Sequence, residues 1–215
     1  MIFSTFIIAI LMTSCSETNS LKFGKQPLDL ENCKLNLNIP EFFSDEVYFQ
    51  ENSDLYVKVE EGNVYNESDS TNTYIVSYGV EKNEKNVKLA KFSSLTFENM
   101  DVISDLRDEK TFLITVNKDS LTKQQTEELM KDISKNYGKS EKKEKYIRGD
   151  FYRWEKDDIV VKLAVRNDSD NLNGYEEEQN SSDAKNYVQI FIETKDFEKK
   201  MANSTFGAFN FNYYF

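Results

Sequence analysis

The chain reads as an α+β protein, a mostly antiparallel sheet with one main covering helix, and three features of the sequence predict it. Apolar residues recur with period 2 in many short segments. One longer segment instead carries a helical period between recognisable cap residues. Large side chains are plentiful: 39% of the 215 residues are hydrophobic, with 16 Phe and 12 Tyr against only 7 Gly and 2 Pro. That composition can fill a core and argues against a disordered chain.

Taken in order, Leu35, Leu37 and Ile39 form the first alternating set, followed by Leu55, Val57 and Val59, then Tyr74, Val76 and Tyr78, then Phe112, Ile114 and Val116. Each set is expected to be one buried face of a strand, because successive side chains of a strand point to opposite sides. Between them, Glu60 to Asn63 and Asn66 to Asn72 carry the Gly, Asn, Asp and Ser of turns. Thr122 with Gln125 three residues on makes a capping box, and Leu129, Met130, Ile133 and Tyr137 fall on one helical face. Gly138 stands where a left-handed C′ residue belongs, so a helix is expected over about residues 121–137. A basic turn, Lys139 to Lys145, leads to a hairpin. It runs Phe151 to Trp154, turns at Lys156-Asp157-Asp158, and returns with Ile159, Val161, Leu163 and Val165 facing inward. Tyr187 to Thr194 adds a strand with Val188, Ile190 and Ile192 on its core face, and Phe197 with Met201, at i and i+4, predicts a short C-terminal helix. Strand follows strand with one helix inserted, the pattern of a sheet covered on one face. The halves 31–105 and 106–202 are joined without a Pro/Gly linker, so residues 31–215 are expected to form a single domain.

Charge narrows the function. There are 38 acidic and 27 basic residues, a net charge of −11, and none of them lies in residues 1 to 14. An acidic field repels phosphate backbones, which excludes nucleic acid and favours basic proteins or cations as partners. The chain has no histidine, which removes Ser-His-Asp and Cys-His triads and His-bearing zinc sites. Two cysteines, Cys15 and Cys33, cannot build a four-thiolate site, and no glycine-rich phosphate loop is present. No cofactor, no metal and no catalytic activity are expected. The competing class, a carboxylate-dependent hydrolase, would need two converging acids, and nothing marks a pair among so many.

Residues 2 to 12, Ile-Phe-Ser-Thr-Phe-Ile-Ile-Ala-Ile-Leu-Met, form an uncharged, mostly apolar stretch. Eleven residues are too few to span a hydrocarbon core of about 30 Å but suit the h-region of a signal peptide. Thr13, Ser14 and Cys15 follow, and after them the sequence turns polar. The string Leu11-Met12-Thr13-Ser14-Cys15 resembles the lipobox of bacterial lipoproteins. That resemblance implies a signal peptide over 1–14, lipidation of the Cys15 thiol with acyl chains of the palmitate class, and a membrane-anchored tether over 15–30 with Ser, Asn, Gly24 and Pro27. By the same resemblance Ser16 directs the protein to the outer membrane of the cell envelope, facing periplasm or cell surface. If Cys15 carries lipid, Cys33 is left as a lone thiol; if not, an exported chain permits a Cys15 to Cys33 disulfide. The run from Asn136-Tyr137-Gly138 to Tyr152-Arg153-Trp154 is similar to the C-terminal part of Bacteroidetes lipoproteins, a resemblance that implies no activity.

Three further features are candidate sites. The segment Asn167 to Lys185 joins two strands by about 19 residues and holds Asp168, Asp170, Glu176, Glu177, Glu178 and Asp183. Loops of that length are functional or mobile, and its acids are the candidate contacts for a basic protein partner. Its Asp168-Ser-Asp170-Asn171-Leu172 also resembles the opening of a calcium loop, but Leu172 and Asn173 occupy the positions of a ligand and the invariant glycine. The tail alternates Phe209, Phe211, Tyr213 and Phe215, as a last strand docking aromatics on the sheet or as a sticky edge for a partner. Trp154, the one tryptophan, is expected in the core of the hairpin.

Overall fold

The computed structural model describes residues 21–66, 70–146, 149–167, 185–202 and 204–206. In chain order the elements are β1 (Leu28–Asp29), α1 (Ile39–Phe42), a 3-10 turn (Glu46–Phe49), β2 (Leu55–Asn66), β3 (Thr71–Asn83), β4 (Ala90–Phe92), β5 (Leu95–Phe97), β6 (Asn99–Asp105), β7 (Thr111–Thr122), α2 (Lys123–Tyr137), β8 (Glu141–Tyr146), β9 (Gly149–Lys156), β10 (Ile159–Asn167), β11 (Lys185–Thr194), α3 (Lys195–Ala202) and β12 (Ser204–Phe206). The fold is α+β, dominated by a sheet of order β12-β2-β3-β6-β7-β11-β10-β9-β8 in which every neighbouring pair is antiparallel. A small second sheet, β1-β4-β5, contains one parallel pair, β1 with β4. Strands from before and after residue 105 share the large sheet, joined where β6 pairs with β7.

That sheet is curled. α3 packs against β11 and β10 and also against β2, although β3, β6 and β7 intervene. Laid flat, five strand spacings of about 4.8 Å would separate β10 from β2 by about 24 Å. An eight-residue helix is only about 12 Å long. The strands therefore wrap around α3, helped by bulges at Tyr56/Val57, Ile103/Ser104 and Asn186/Val188, which sharpen twist and bend. The concave side carries Val64, Ile75, Ile103, Leu113, Ala164 and Phe191 against Phe197 and Met201 of α3. The opposite side holds the larger core: Val57, Val102, Ile114, Val116, Val161, Leu163, Trp154 and Ile190 pack beneath α2 and the N-terminal segment.

α2 forms for the reasons its sequence predicts. Thr122 Oγ1 accepts from Gln125 N–H while Gln125 Oε1 accepts from Thr122 N–H, and Leu129, Ile133 and Tyr137 are buried, with Met130 partly so. Gly138 ends it at φ 87° and ψ −155°, a conformation reserved for glycine but extended rather than left-handed helical. Trp154 is buried, and its Nε1–H donates to Ser134 Oγ of α2 at 3.0 Å.

Several expectations are corrected. Residues 21–30, read as tether, are packed: Phe23, Leu28 and Leu30 are buried, and Phe23 meets Phe42, Phe43 and Tyr48 ring to ring. Leu35 and Ile39 are buried but form no strand, because the chain there is irregular, with Leu35 at φ 52° and Ile39 opening α1. Glu60 to Asn63 is no turn; it lies within β2, and Val59 of β2 and Tyr74 of β3 are 43% and 42% exposed. Lys139 to Lys145 is not all turn either, since β8 begins at Glu141. Phe112 does not share the face of Ile114 and Val116. The bulge pairs Ile103 with Leu113 and Ser104 with Thr111, so Phe112 is the extra residue and its ring stacks on Phe197 at 5.2 Å.

Candidate functional site

The residues singled out for lipid and partner, Cys15 and Asp168, Asp170, Glu176, Glu177 and Glu178, lie outside the described residues, as do residues 207–215 of the tail. The roots of the acidic loop are well placed, however. Asn167 pairs with Asn186 at the ends of β10 and β11, and Asn186 Nδ2 donates to Thr126 Oγ1 of α2 at 3.0 Å. Beside them the Arg166 guanidinium lies 4.4 Å over the Tyr187 ring. The loop thus emerges next to the first turn of α2, at one end of the sheet.

At the other end of α2 the chain forms an open cleft of about 500 Å³, lined by Glu31, Asn32, Cys33, Lys34, Asn36, Asn136, Tyr137, Lys156, Asp157, Asp158 and Ile159. Three segments build it: the irregular 31–36 stretch, the end of α2, and the tight β9–β10 turn in which Asp157 takes φ 55°. Lys156 Nζ donates to Asn136 O at 2.9 Å, which ties the turn to the helix. The Tyr137 hydroxyl donates to Leu30 O at 3.3 Å, which ties the helix to the N-terminal segment. Burial pushes the Tyr137 phenol up to about 12 and also raises the Cys33 thiol, a free and buried cysteine. A thiol held protonated is no nucleophile. The cleft offers carboxylates, ammonium groups and amides for recognition.

The concave side holds the most heavily buried charges among the described residues. Lys162 of β10 and Glu193 of β11 are 4% and 0% exposed, and Lys162 Nζ stands 2.5 Å from Glu193 Oε1. Apart from that ion pair the Glu193 carboxylate has no hydrogen-bond partner among the described residues. Burial pushes its carboxyl above the ordinary range, against the pull of Lys162. Glu198 of α3 completes the group: Arg153 donates to it twice, at 2.9 and 2.7 Å, and Lys162 approaches to 3.2 Å. Burial opposes ionisation of Glu198, but the two cations prevail and hold it at about 2. Glu155 and Lys195 extend the chain of charges, Arg153 to Glu155 at 2.7 Å and Glu155 to Lys195 at 2.6 Å. This network fixes α3 against the sheet.

Reading alternation alone misses both features. Lys162 sits on the face of β10 opposite Ile159, Val161 and Leu163, where a sheet covered on one side would show it to water, and only Val160 and Ala164 beside it hint that the second face is also covered. The cleft joins residues more than a hundred positions apart and leaves no local signature. Among the described residues, no group of three acids or cysteines is placed to hold a metal ion, and no helix is long and apolar enough to cross a membrane. Comparison with protein-family models, with curated proteins and with solved structures gave no match.

Proposed function

We propose that the protein is an envelope lipoprotein, anchored in the outer membrane through lipid on Cys15, that acts as a non-catalytic binding module for a basic protein partner, in the manner of an inhibitor or immunity protein. The anchor rests on the run Leu11-Met12-Thr13-Ser14-Cys15 behind an apolar h-region. In this reading α2 is the main cover of the sheet and α3 its closing helix, with the roots of the acidic loop at the first turn of α2 and the cleft at its last. The observation that carries the binding role is the cleft: carboxylates of Glu31, Asp157 and Asp158 stand among asparagines and outnumber the ammonium groups of Lys34 and Lys156, the latter tied to Asn136 O, while its thiol and phenol are held protonated. Such a wall suits lysine or arginine side chains of a partner, and the net charge of −11 steers a basic protein toward it.

The test is cross-linking in intact cells with the full chain and with Glu31→Lys/Asp157→Lys/Asp158→Lys. A basic protein captured by the parent and lost with the charge-reversed chain, in a complex weakened by salt because exposed charges are screened over about 10 Å at 0.1 M, is the expected result. A complex indifferent to both changes contradicts the reading. The alternative is a carboxylate-dependent hydrolase, which would need two converging acids in one cleft.

A further inference from the structure

Among the described residues, five large apolar side chains are well exposed, and four of them, Val59, Tyr65, Tyr74 and Leu106, belong to β2, β3 and the turn that follows β6. Strand register puts all four on one face. Val59 is opposite Tyr78 and Tyr65 opposite Asn72, and alternate residues of a strand share a side, so Tyr74 and Val76 lie on that side too. Ser104 is opposite Val76, which carries the same side on to Leu106, whose N–H donates to Tyr74 O at 3.0 Å. This is the side of the larger core, and Phe43 stacks on Tyr78 at 4.4 Å where that core ends. Beyond Phe43 the exposed residues form a strip about 20 Å long from Val59 to Tyr65 and about 10–15 Å wide over three strands. The Arg107 guanidinium lies 4.8 Å over the Tyr74 ring and holds it in place. Acids rim the strip: Glu61 stands between Val59 and Tyr65 on the same face, and Asp108 and Glu109 are exposed in the β6–β7 turn. Burial raises the Tyr78 phenol, and Glu109 and Glu61 raise it further, as carboxylates beside the strip should.

We propose that this strip docks a basic amphipathic helix of a protein partner, a contact separate from the cleft; the proposal rests on the reading of the chain as a binder of basic proteins. Size argues for a single segment. A strip of about 200–300 Å² falls well short of the roughly 800 Å² that each partner of a stable protein pair buries, and two copies of a chain of net charge −11 repel one another. A helix of about fourteen residues is about 21 Å long, which matches the strip. Chemistry sets the character of that helix. A row of apolar side chains between acids fits a helix whose apolar stripe is flanked by lysine or arginine. Around the strip Glu61, Asp108 and Glu109 outnumber Arg107 and Lys110, and Arg107 is engaged with Tyr74. The same acids repel an anionic bilayer. Tyrosine and arginine are enriched at the centres of protein interfaces, and a ring already held in place gives up little freedom on contact.

A defined peptide tests the surface on the purified full chain. The ligand is a fluorescein-labelled helix of about fourteen residues, built of Leu and Lys with Leu along one face, and a control peptide carries Glu in place of Lys. Fluorescence anisotropy is expected to show binding of the Leu/Lys peptide that Tyr74→Ser/Leu106→Ser weakens at least about tenfold. Glu61→Lys/Glu109→Lys is expected to weaken it too and to flatten its dependence on salt. These four residues are exposed, so both variants are expected to keep the circular-dichroism spectrum and melting temperature of the parent. Glu31→Lys/Asp157→Lys/Asp158→Lys, which alters the cleft, is expected to leave the affinity unchanged. Binding lost with the cleft variant and kept by both strip variants overturns the proposal while leaving the basic-partner reading intact. Absence of binding, or equal affinity for the Glu peptide, overturns it as well. A chain that sediments as a dimer, dissociated by Tyr74→Ser/Leu106→Ser, assigns the strip to a second copy and also overturns it.

Discussion

Asp101 lies on β6 two residues from Ile103, so it faces the concave side, and it pairs across the sheet with Gly79. A Cβ at Gly79 would stand 3.0 Å from Asp101 Oδ1, which makes the glycine the space into which the carboxyl leans. Burial pushes that carboxyl up to about 6; the N–H of Val80 pulls it down and Glu81 adds to the rise. The sign of the pH effect follows. The folded state binds this proton more tightly than the unfolded chain, so the protonated form's advantage is complete at low pH and is lost as pH rises through about 6. Asp101→Asn removes the ionisation while its amide oxygen can still accept from Val80. The variant is therefore expected to match the parent at pH 4 and to exceed it at pH 8 by about 1–3 kcal/mol, as read from urea unfolding at the two pH values. As one acid among 38, Asp101 carried no mark in the sequence, because burial and the missing Cβ across the strand are properties of pairing.

At the scale of elements, legibility followed the range of the interactions. The capping box of α2 and the inward faces of β10 and β11 are local patterns, and the sequence shows them directly. The bulge that turns Phe112 toward α3 depends on how β6 and β7 align, and one extra residue was enough to move a side chain to the other face. The same limit hid the charge network, since a strand covered on both sides looks from its alternation like one that is half exposed. That network joins α3 to β9, β10 and β11, and its members are unequal. Glu193 has Lys162 as its cation and no hydrogen-bond partner beyond it among the described residues. Lys162→Met therefore leaves a buried carboxylate uncompensated and is expected to cost about 3–5 kcal/mol, whereas Lys162→Met/Glu193→Leu, which removes both charges, is expected to recover most of that loss. Urea unfolding of the parent, both single variants and the double variant completes the cycle. A Lys162→Met chain as stable as the parent would contradict this account of the buried pair.

Over the whole molecule, the α+β class and the antiparallel sheet were readable from alternation and from the inserted helix, but the curl of the sheet was not, because it arises from bulges and from α3 lodging between strands distant in sheet order. Residues 21–30 of the expected tether belong to the fold: their polar neighbours conceal Phe23, Leu28 and Leu30, three anchors of the core. The candidate site was legible only as a charge balance, with the loop acids named by sequence and the cleft built by tertiary contacts. If Cys15 carries lipid, the described core begins within a few residues of the membrane anchor. Intact-mass spectrometry of the protein from its native membrane fraction, beside a Cys15→Ala version, tests this account most directly. It predicts a chain beginning at Cys15 with a diacyl or triacyl mass increment that the variant lacks; a soluble chain without that increment would contradict it.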